Sequence, residues 1–217
     1  MKEARIIKTV APTPSYRRHS EGDFLRLKDG GIIFVYARFL EFGGRDDDPA
    51  ELAAMYSYDN GETWTEPETF LRSEQFGPST IMSVSLMRML NGDFGLFFEI
   101  KNEVHGSPKW EHTMALARSR DEGKTFYSIT PCSPQQYEGR YGLNNDRVER
   151  LSSGRIIVPI SIHPGSYKDE QEGKTRPRVG RFTFNTHTYS DDDGYTWTVN
   201  NVSECKAGES VDYSYEE

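Results

Sequence analysis

Three short stretches of this 217-residue chain gather side chains able to move protons or hold polar ligands. The first, YRRHSEGD, runs from Tyr16 to Asp23 and holds Arg17, Arg18, Glu21 and Asp23. The second, GGRDDDPA, carries Asp46, Asp47 and Asp48, and the third, NNDR, supplies Asn144, Asn145, Asp146 and Arg147. Three consecutive carboxylates repel one another, and where they are partly buried that repulsion raises at least one pKa. A carboxyl group raised in this way is a proton donor for general acid catalysis. Plainer readings stay open beside this one. The DDD run can be a solvated turn, and NNDR can cap strand ends with Arg147 paired to Glu149. The five histidines show no metal-ligand spacing, so neither a metal nor a cofactor is expected.

What must position these groups is a repeat. SYDNGETW starts at Ser57, SRDEGKTF at Ser119 and SDDDGYTW at Ser190, 62 and 71 residues apart. A second marker keeps step: Gly30 in LKDGG, Gly92 in MLNGD and Gly154 in LSSGR are spaced by 62 and 62. The nine extra residues before Ser190 fall in HPGSYKDEQEGKTRPRVG, polar and turn-rich as a surface loop should be. Each unit reads as four strands: an inner one, a tight turn at the glycine, an apolar run such as IIFVYAR, then two more around the Ser-x-Asp-x-Gly-x-Thr-aromatic turn. Pro159 sits inside a strand of the third unit, where its missing N–H calls for a bulge or an unpaired place.

Repeated four-stranded antiparallel units are the sequence form of β-propeller blades. The polar turn then reads as a stapled hairpin. Ser57, Ser119 and Ser190 with Asp59, Asp121 and Asp192 bond turn N–H groups, Gly61, Gly123 and Gly194 supply positive φ, and Trp64, Phe126 and Trp197 pack beneath. A Ca²⁺ loop is the alternative for so acidic a turn, but the distal Glu of an EF-hand is missing. The staples cap one end of the blades. Loops entering the inner strands and loops joining strands two and three build the other end, where function should converge. Counting back nine from each turn glycine places Glu21, Ser83 and Asn145 around the central axis, with Glu216 or Glu217 at the matching place of a fourth unit.

Composition narrows the partners. A net charge of −8 argues against nucleic acid, which needs a basic face. No run approaches the eighteen apolar residues of a membrane helix, and MKEARIIKTVAPTPSYRR has no apolar signal-peptide core. The chain as written reads as intracellular, though a sequence trimmed of its leader would look the same. Cys132 and Cys205 do not make a disulfide framework.

The three turns resemble the Asp-box (BNR) repeats of the sialidase, or neuraminidase, superfamily. The resemblance runs from about Tyr16 to the end. It implies an all-β, six-bladed propeller. This chain would carry blade 1 at about 19–72, blade 2 at about 80–132, blade 3 at about 144–203 and the start of blade 4 at about 210–217. It also implies an exo-acting glycosidase that removes a terminal acidic sugar. Arg17 or Arg18 would hold the sugar carboxylate, followed by Arg38 after the second strand of blade 1. One of Asp46, Asp47 and Asp48 would be the acid/base, with Asp47 narrowly preferred, and Glu216 or Glu217 would assist a tyrosine nucleophile from a later blade. Glu21, Asp23 and Asn144–Arg147 would bind sugar hydroxyls. The sequence departs from the family where Ile-Pro should follow the first arginine: HSEGD stands there instead. Another glycan hydrolase or lyase, or a non-catalytic carbohydrate-binding propeller, are the rivals. Three blades cannot close a ring, so the chain is expected to be a fragment, inactive alone, or to complete its ring with the rest of its own propeller or another copy.

Overall fold

The computed structural model describes residues 4–40, 44–46, 48–76, 79–102, 111–133, 139–143, 145–164, 166–168, 175–177 and 184–200. The first blade is β1 (Tyr16–Arg26), β2 (Ile32–Leu40), β3 (Ala50–Ser57) and β4 (Glu68–Leu71), paired antiparallel in chain order. The second repeats it with β5 (Ser79–Arg88), β6 (Phe94–Asn102), β7 (Glu111–Ser119) and β8 (Ser128–Pro131). The third is built from β9 (Gly139–Gly142), β10 (Glu149–Arg150), β11 (Ile156–Pro164), β14 (Phe184–Ser190) and β15 (Thr198–Val199). Its inner strand is split into β9 and β10, where the first two blades have a register shift. The inserted segment forms a hairpin of its own, β12 (Ser166–Lys168) with β13 (Thr175–Pro177). Pro159 faces His187 across β11 and β14 in unbroken register. On its other side the pairing with β9 and β10 skips residues 158–160, so the missing N–H leaves no ladder bond wanting.

Period-two burial explains the stacking. Along β2, Ile33, Val35, Ala37 and Phe39 point at blade 2, where Phe94, Leu96, Phe98 and Ile100 of β6 meet them. The opposite face of β6, through Phe97, joins Ile156, Val158 and Ile160 of β11. β6 is apolar on both faces because it is sandwiched between blades 1 and 3.

The Asp-box turns are hydrogen-bonded in one pattern. Ser57 Oγ donates to Asp59 Oδ1 at 2.9 Å and accepts Gly61 N–H at 2.8 Å. Asp59 also takes the N–H and hydroxyl of Thr63, at 2.8 and 2.6 Å. Ser119–Asp121–Thr125 and Ser190–Asp192–Thr196 repeat it. The residue before each glycine, Asn60, Glu122 or Asp193, is also left-handed, with φ near +60°. That conformation throws its side chain out of the turn and toward neighbouring chain.

There it forms a second repeated device. Arg26, Arg88 and Arg150 each reach the carbonyl of their own turn glycine, Gly30, Gly92 and Gly154, at 2.9, 3.3 and 3.1 Å. Each also binds the residue before the Asp-box glycine: Arg26 to Asn60 at 2.9 Å, Arg88 to Glu122 twice at 2.7 Å, Arg150 to Asp193 at 2.6 Å. Glu122 further accepts the backbone N–H of Lys28 in blade 1 at 3.2 Å, and Asp193 that of Leu90 in blade 2 at 3.1 Å. Lys28 and Leu90 occupy the second position of a tight turn, whose N–H has no bond within the turn. The next blade's Asp-box supplies the acceptor, so the turn that staples a blade also latches it to its predecessor.

Candidate functional site

The end opposite the Asp-boxes is made from the starts of the inner strands and from residues 44–46 and 48. Arg18, on β1, is half-buried over the Phe39 ring at 4.6 Å. Its guanidinium donates to Asp46 Oδ1 at 2.5 Å, to Gly44 O at 3.4 Å and to Ser20 Oγ at 3.3 Å. The pair is accessible, with Asp46 61% and Arg18 33% exposed in their side chains. Asp48 has a different employment: Oδ2 accepts the N–H groups of Gly44 and Arg45 at 2.8 and 2.7 Å, and its carbonyl takes the Thr80 hydroxyl at 2.6 Å. It ties the loop to itself and to blade 2. Asp47, Asn144, Glu216 and Glu217 lie outside the described residues.

Arg38 stands apart from this pair. It is 4% exposed, donates from Nε to Glu51 at 2.9 Å and from Nη2 to Thr69 Oγ1 at 2.7 Å, and stacks on the Tyr16 ring at 3.9 Å. Arg72 approaches the other Glu51 oxygen at 3.6 Å. The alternation along β2 puts Arg38 on the same face as Phe34 and Tyr36, so it points into blade 1's own sheet partners and the face away from blade 2. Glu51 was legible as a charge in the apolar strand AELAAMYS, but its pairing needs the β2–β3 register that sets Arg38 opposite it. The same signal marks Glu99 in FGLFFEIK, 3% exposed on β6 and 3.4 Å from the Ser83 hydroxyl.

The inner strands of neighbouring blades meet near their register shifts. Ser83 and Asp146 both carry positive φ, 58° and 50°, where their strands step out of regular pairing. Asp146 N–H bonds Val84 O at 2.9 Å, and the Ser85 hydroxyl accepts Arg147 and Val148 N–H at 3.1 and 3.4 Å. One blade earlier Asp23 does the work of Ser85, accepting Leu86 N–H at 2.6 Å and Phe24 N–H at 2.6 Å. Burial is the largest influence on Asp23 and pushes its carboxyl up to about 6. The two N–H bonds oppose that, and the charge and contact of Asp146 add to it. The structure therefore brings together Arg18 with Asp46, and Asp23 with Asp146. Arg17 and Glu21 are exposed on the same strand, Asn145 is half-buried and Arg147 exposed.

Chemically this end offers an exchangeable guanidinium–carboxylate pair, and farther along the same strand a carboxyl group raised to about 6. Among the described residues no group of three His, Cys, Asp or Glu could hold a metal ion, and no helix is long and apolar enough to cross a membrane.

Comparison with curated protein sequences finds no match. Among solved structures, a Hadza microbial sialidase superposes with a TM-score of 0.63 at 13% identity, over 86% of this chain and 38% of that one. A protein of unknown function from Dyadobacter fermentans gives 0.62 at 20%, over 88% and 56%. An N-acetylgalactosamine deacetylase from F. plautii, in complex with blood group B trisaccharide, gives 0.61 at 13%, over 92% and 56%. The chain thus spans roughly half or less of those proteins' length, and at these identities the likeness is one of fold. The BNR repeat-like domain family matches residues 36–211, and with three stapled Asp-box blades on a sialidase-like propeller the chain belongs to that family.

Proposed function

We propose that this chain carries part of the site of an exo-acting glycoside hydrolase of the sialidase type, taking a terminal acidic sugar at the end opposite the Asp-boxes. The observation that carries this reading is the Arg18–Asp46 pair. A half-buried guanidinium is held beside an accessible carboxylate in the loop where an acid/base is required. A sugar carboxylate arriving on Arg18 exchanges for Asp46 and keeps the arginine paired. The released carboxylate then lies next to the incoming anion, which raises its affinity for a proton. Asp48 is occupied with two loop N–H groups, so the proton falls to Asp46 or Asp47. Glu21, Asp23, Asn145 and Asp146 present acceptors for sugar hydroxyls around the axis, and later blades would complete the site with the nucleophile.

A second reading, a glycan-processing enzyme for a different sugar, is favoured by Arg38. The family pattern would set that arginine on the substrate carboxylate, and here Glu51 and Thr69 hold it. Turnover of fluorogenic α-sialosides, α-rhamnosides and uronides by the protein that contains this chain separates the two. In the first, sialoside is cleaved, Arg18→Ala raises KM for it, and Asp46→Asn or Asp47→Asn lowers kcat about a hundredfold or more. Cleavage of a neutral sugar with no dependence on Arg18 would exclude it.

A further inference from the structure

The three Asp-box hairpins share a backbone but differ in the side chains beside it. Just past the turn glycine stand Gly31, Asp93 and Arg155. Just past the Asp-box serine stand Tyr58, Arg120 and Asp191, and at the start of the strand after the box stand Thr65, Tyr127 and Thr198. In blade 2 the Tyr127 hydroxyl donates to Asp93, and Arg120 lies over the Tyr127 ring at 4.5 Å. In blade 3 Arg155 donates twice to Asp191, both at 2.7 Å, and lies over the Tyr189 ring at 4.0 Å. Long side chains therefore cover this rim in both blades.

Blade 1 leaves the same rim open. Gly31 has no side chain, and the Tyr58 ring lies against it: a Cβ on Gly31 would sit 3.0 Å from Tyr58 Cε1. Thr65 is too short to reach across as Tyr127 does. The result is a surface cleft of about 330 Å³ lined by Tyr56, Tyr58, Asp59, Thr63, Trp64 and Thr65. That volume suits a single small ring. Tyr58 is 69% exposed. Tyr56 is half-buried and packs on the apolar cluster that blades 1 and 2 share, so the neighbour on its side is the described blade 2. Burial first, then the Glu68 charge, pushes the Tyr56 phenol up to about 12, and it stays neutral. The carboxylate of the lining, Asp59, is spent on Ser57 and Thr63. The lining holds no Lys or Arg. The cleft thus offers rings and hydroxyls without a cation.

We infer that this cleft binds one neutral hexopyranose unit of a glycan, its C–H face stacked on Tyr58 and its hydroxyls on Thr65 and Tyr56. An exposed ring already seated on backbone offers apolar area at little entropic cost, and a few hydroxyls fix the ligand's orientation. The Thr65 hydroxyl accepts Tyr56 N–H at 3.0 Å and keeps its own proton to donate. An acidic sugar is disfavoured, because the charges at hand are the Asp59 and Glu68 carboxylates. The cleft lies at the Asp-box end, opposite Arg18 and Asp46. It is a holding site separate from the proposed site for the acidic sugar and does not depend on it.

Lactose, cellobiose and maltose, titrated to tens of millimolar into the isotope-labelled protein that contains this chain, are the probes. At least one should shift the amide signals of Tyr56, Tyr58 and Thr65 with a Kd of about 1–10 mM, the range a single stacked ring allows. Tyr58→Ala removes the stacking surface and should weaken binding about tenfold or more. Thr65→Tyr rebuilds the covered rim of blade 2 at a position where the repeat itself accepts tyrosine. It should abolish binding with the circular dichroism spectrum unchanged. Arg18→Ala should leave the shifts and the Kd as they are, whatever becomes of sialoside turnover. No shift with any of the three sugars overturns the inference. So do shifts confined to other residues, a Kd unmoved by both Tyr58→Ala and Thr65→Tyr, or binding lost with Arg18→Ala.

Discussion

Replacing Glu122 by alanine tests the latch directly. The carboxylate holds Arg88 through two 2.7 Å bonds and the Lys28 N–H at 3.2 Å, with side chains 19% and 28% exposed for Glu122 and Arg88. Hydrogen bonds to charged groups contribute about 1.5–3 kcal/mol each when their loss strands a partner. Arg88 keeps its bonds to Gly92 O and Arg26 O and regains some water, and Lys28 is exposed. The net loss should be about 2–3 kcal/mol, which for a chain of this size is a Tm lower by about 5–10 °C. Thermal and urea denaturation followed by circular dichroism measure it, and a cycle with Arg88→Ala should show coupling of about 1–2 kcal/mol. The sign with pH is fixed. Desolvation, the largest single influence, pushes the Glu122 carboxyl up, but the Arg88 and Lys28 bonds outweigh it and hold it below the ordinary 4.5. Its contribution is present above that value and lost as pH falls through the folded pKa, so variant and wild type should converge in acid. A loss under about 0.5 kcal/mol, or no coupling, would mean that apolar packing alone joins the blades.

Other outcomes follow from the same geometry. The Thr63 hydroxyl and N–H hold Asp59 at a pKa of about 2, and the Ser119 hydroxyl with Thr125 does the same for Asp121. Their stabilising effect is full above about 3.8 and disappears as pH falls toward 2, so Ser119→Ala should destabilise at pH 7 and much less at pH 2, by denaturant midpoint. Asp23 has the opposite sign. Its raised carboxyl contributes fully below 3.8 and loses that contribution as pH rises through about 6. NMR titration should find it half-protonated near pH 6, and a midpoint below 4 would discard the burial argument. Gly123→Ala combines φ +88° with a Cβ 2.5 Å from Phe70 and should cost more than 2 kcal/mol. Phe70→Ala in the same chain should relieve part of that loss, as a double-mutant cycle would show.

Spacing alone made the blades legible. Serine hydroxyl, aspartate and glycine at fixed offsets can close only one kind of stapled turn, and the 62-residue step of Gly30, Gly92 and Gly154 fixes four strands between turns. The end where Arg18 and Asp46 meet followed from that, because the staples occupy the opposite end. The latch was not legible. Nothing in DNG, DEG or DDG tells a reader that the middle residue is left-handed and throws its side chain onto another blade, since the donor, Lys28 or Leu90, lies 94 or 103 residues away.

Local chemistry therefore decided the repeat, the turns and which end is open, since a hydroxyl or carboxylate bonding an N–H two to four residues on depends on no distant residue. Tertiary structure decided what each charge does. Arg18 and Arg38 look alike in sequence, yet strand alternation and the β2–β3 register place one guanidinium at the accessible end and bury the other against Glu51. A charged side chain's role is set by which opposite charge lies within a few ångströms of it, and only the packing of blade on blade and strand on strand sets those distances.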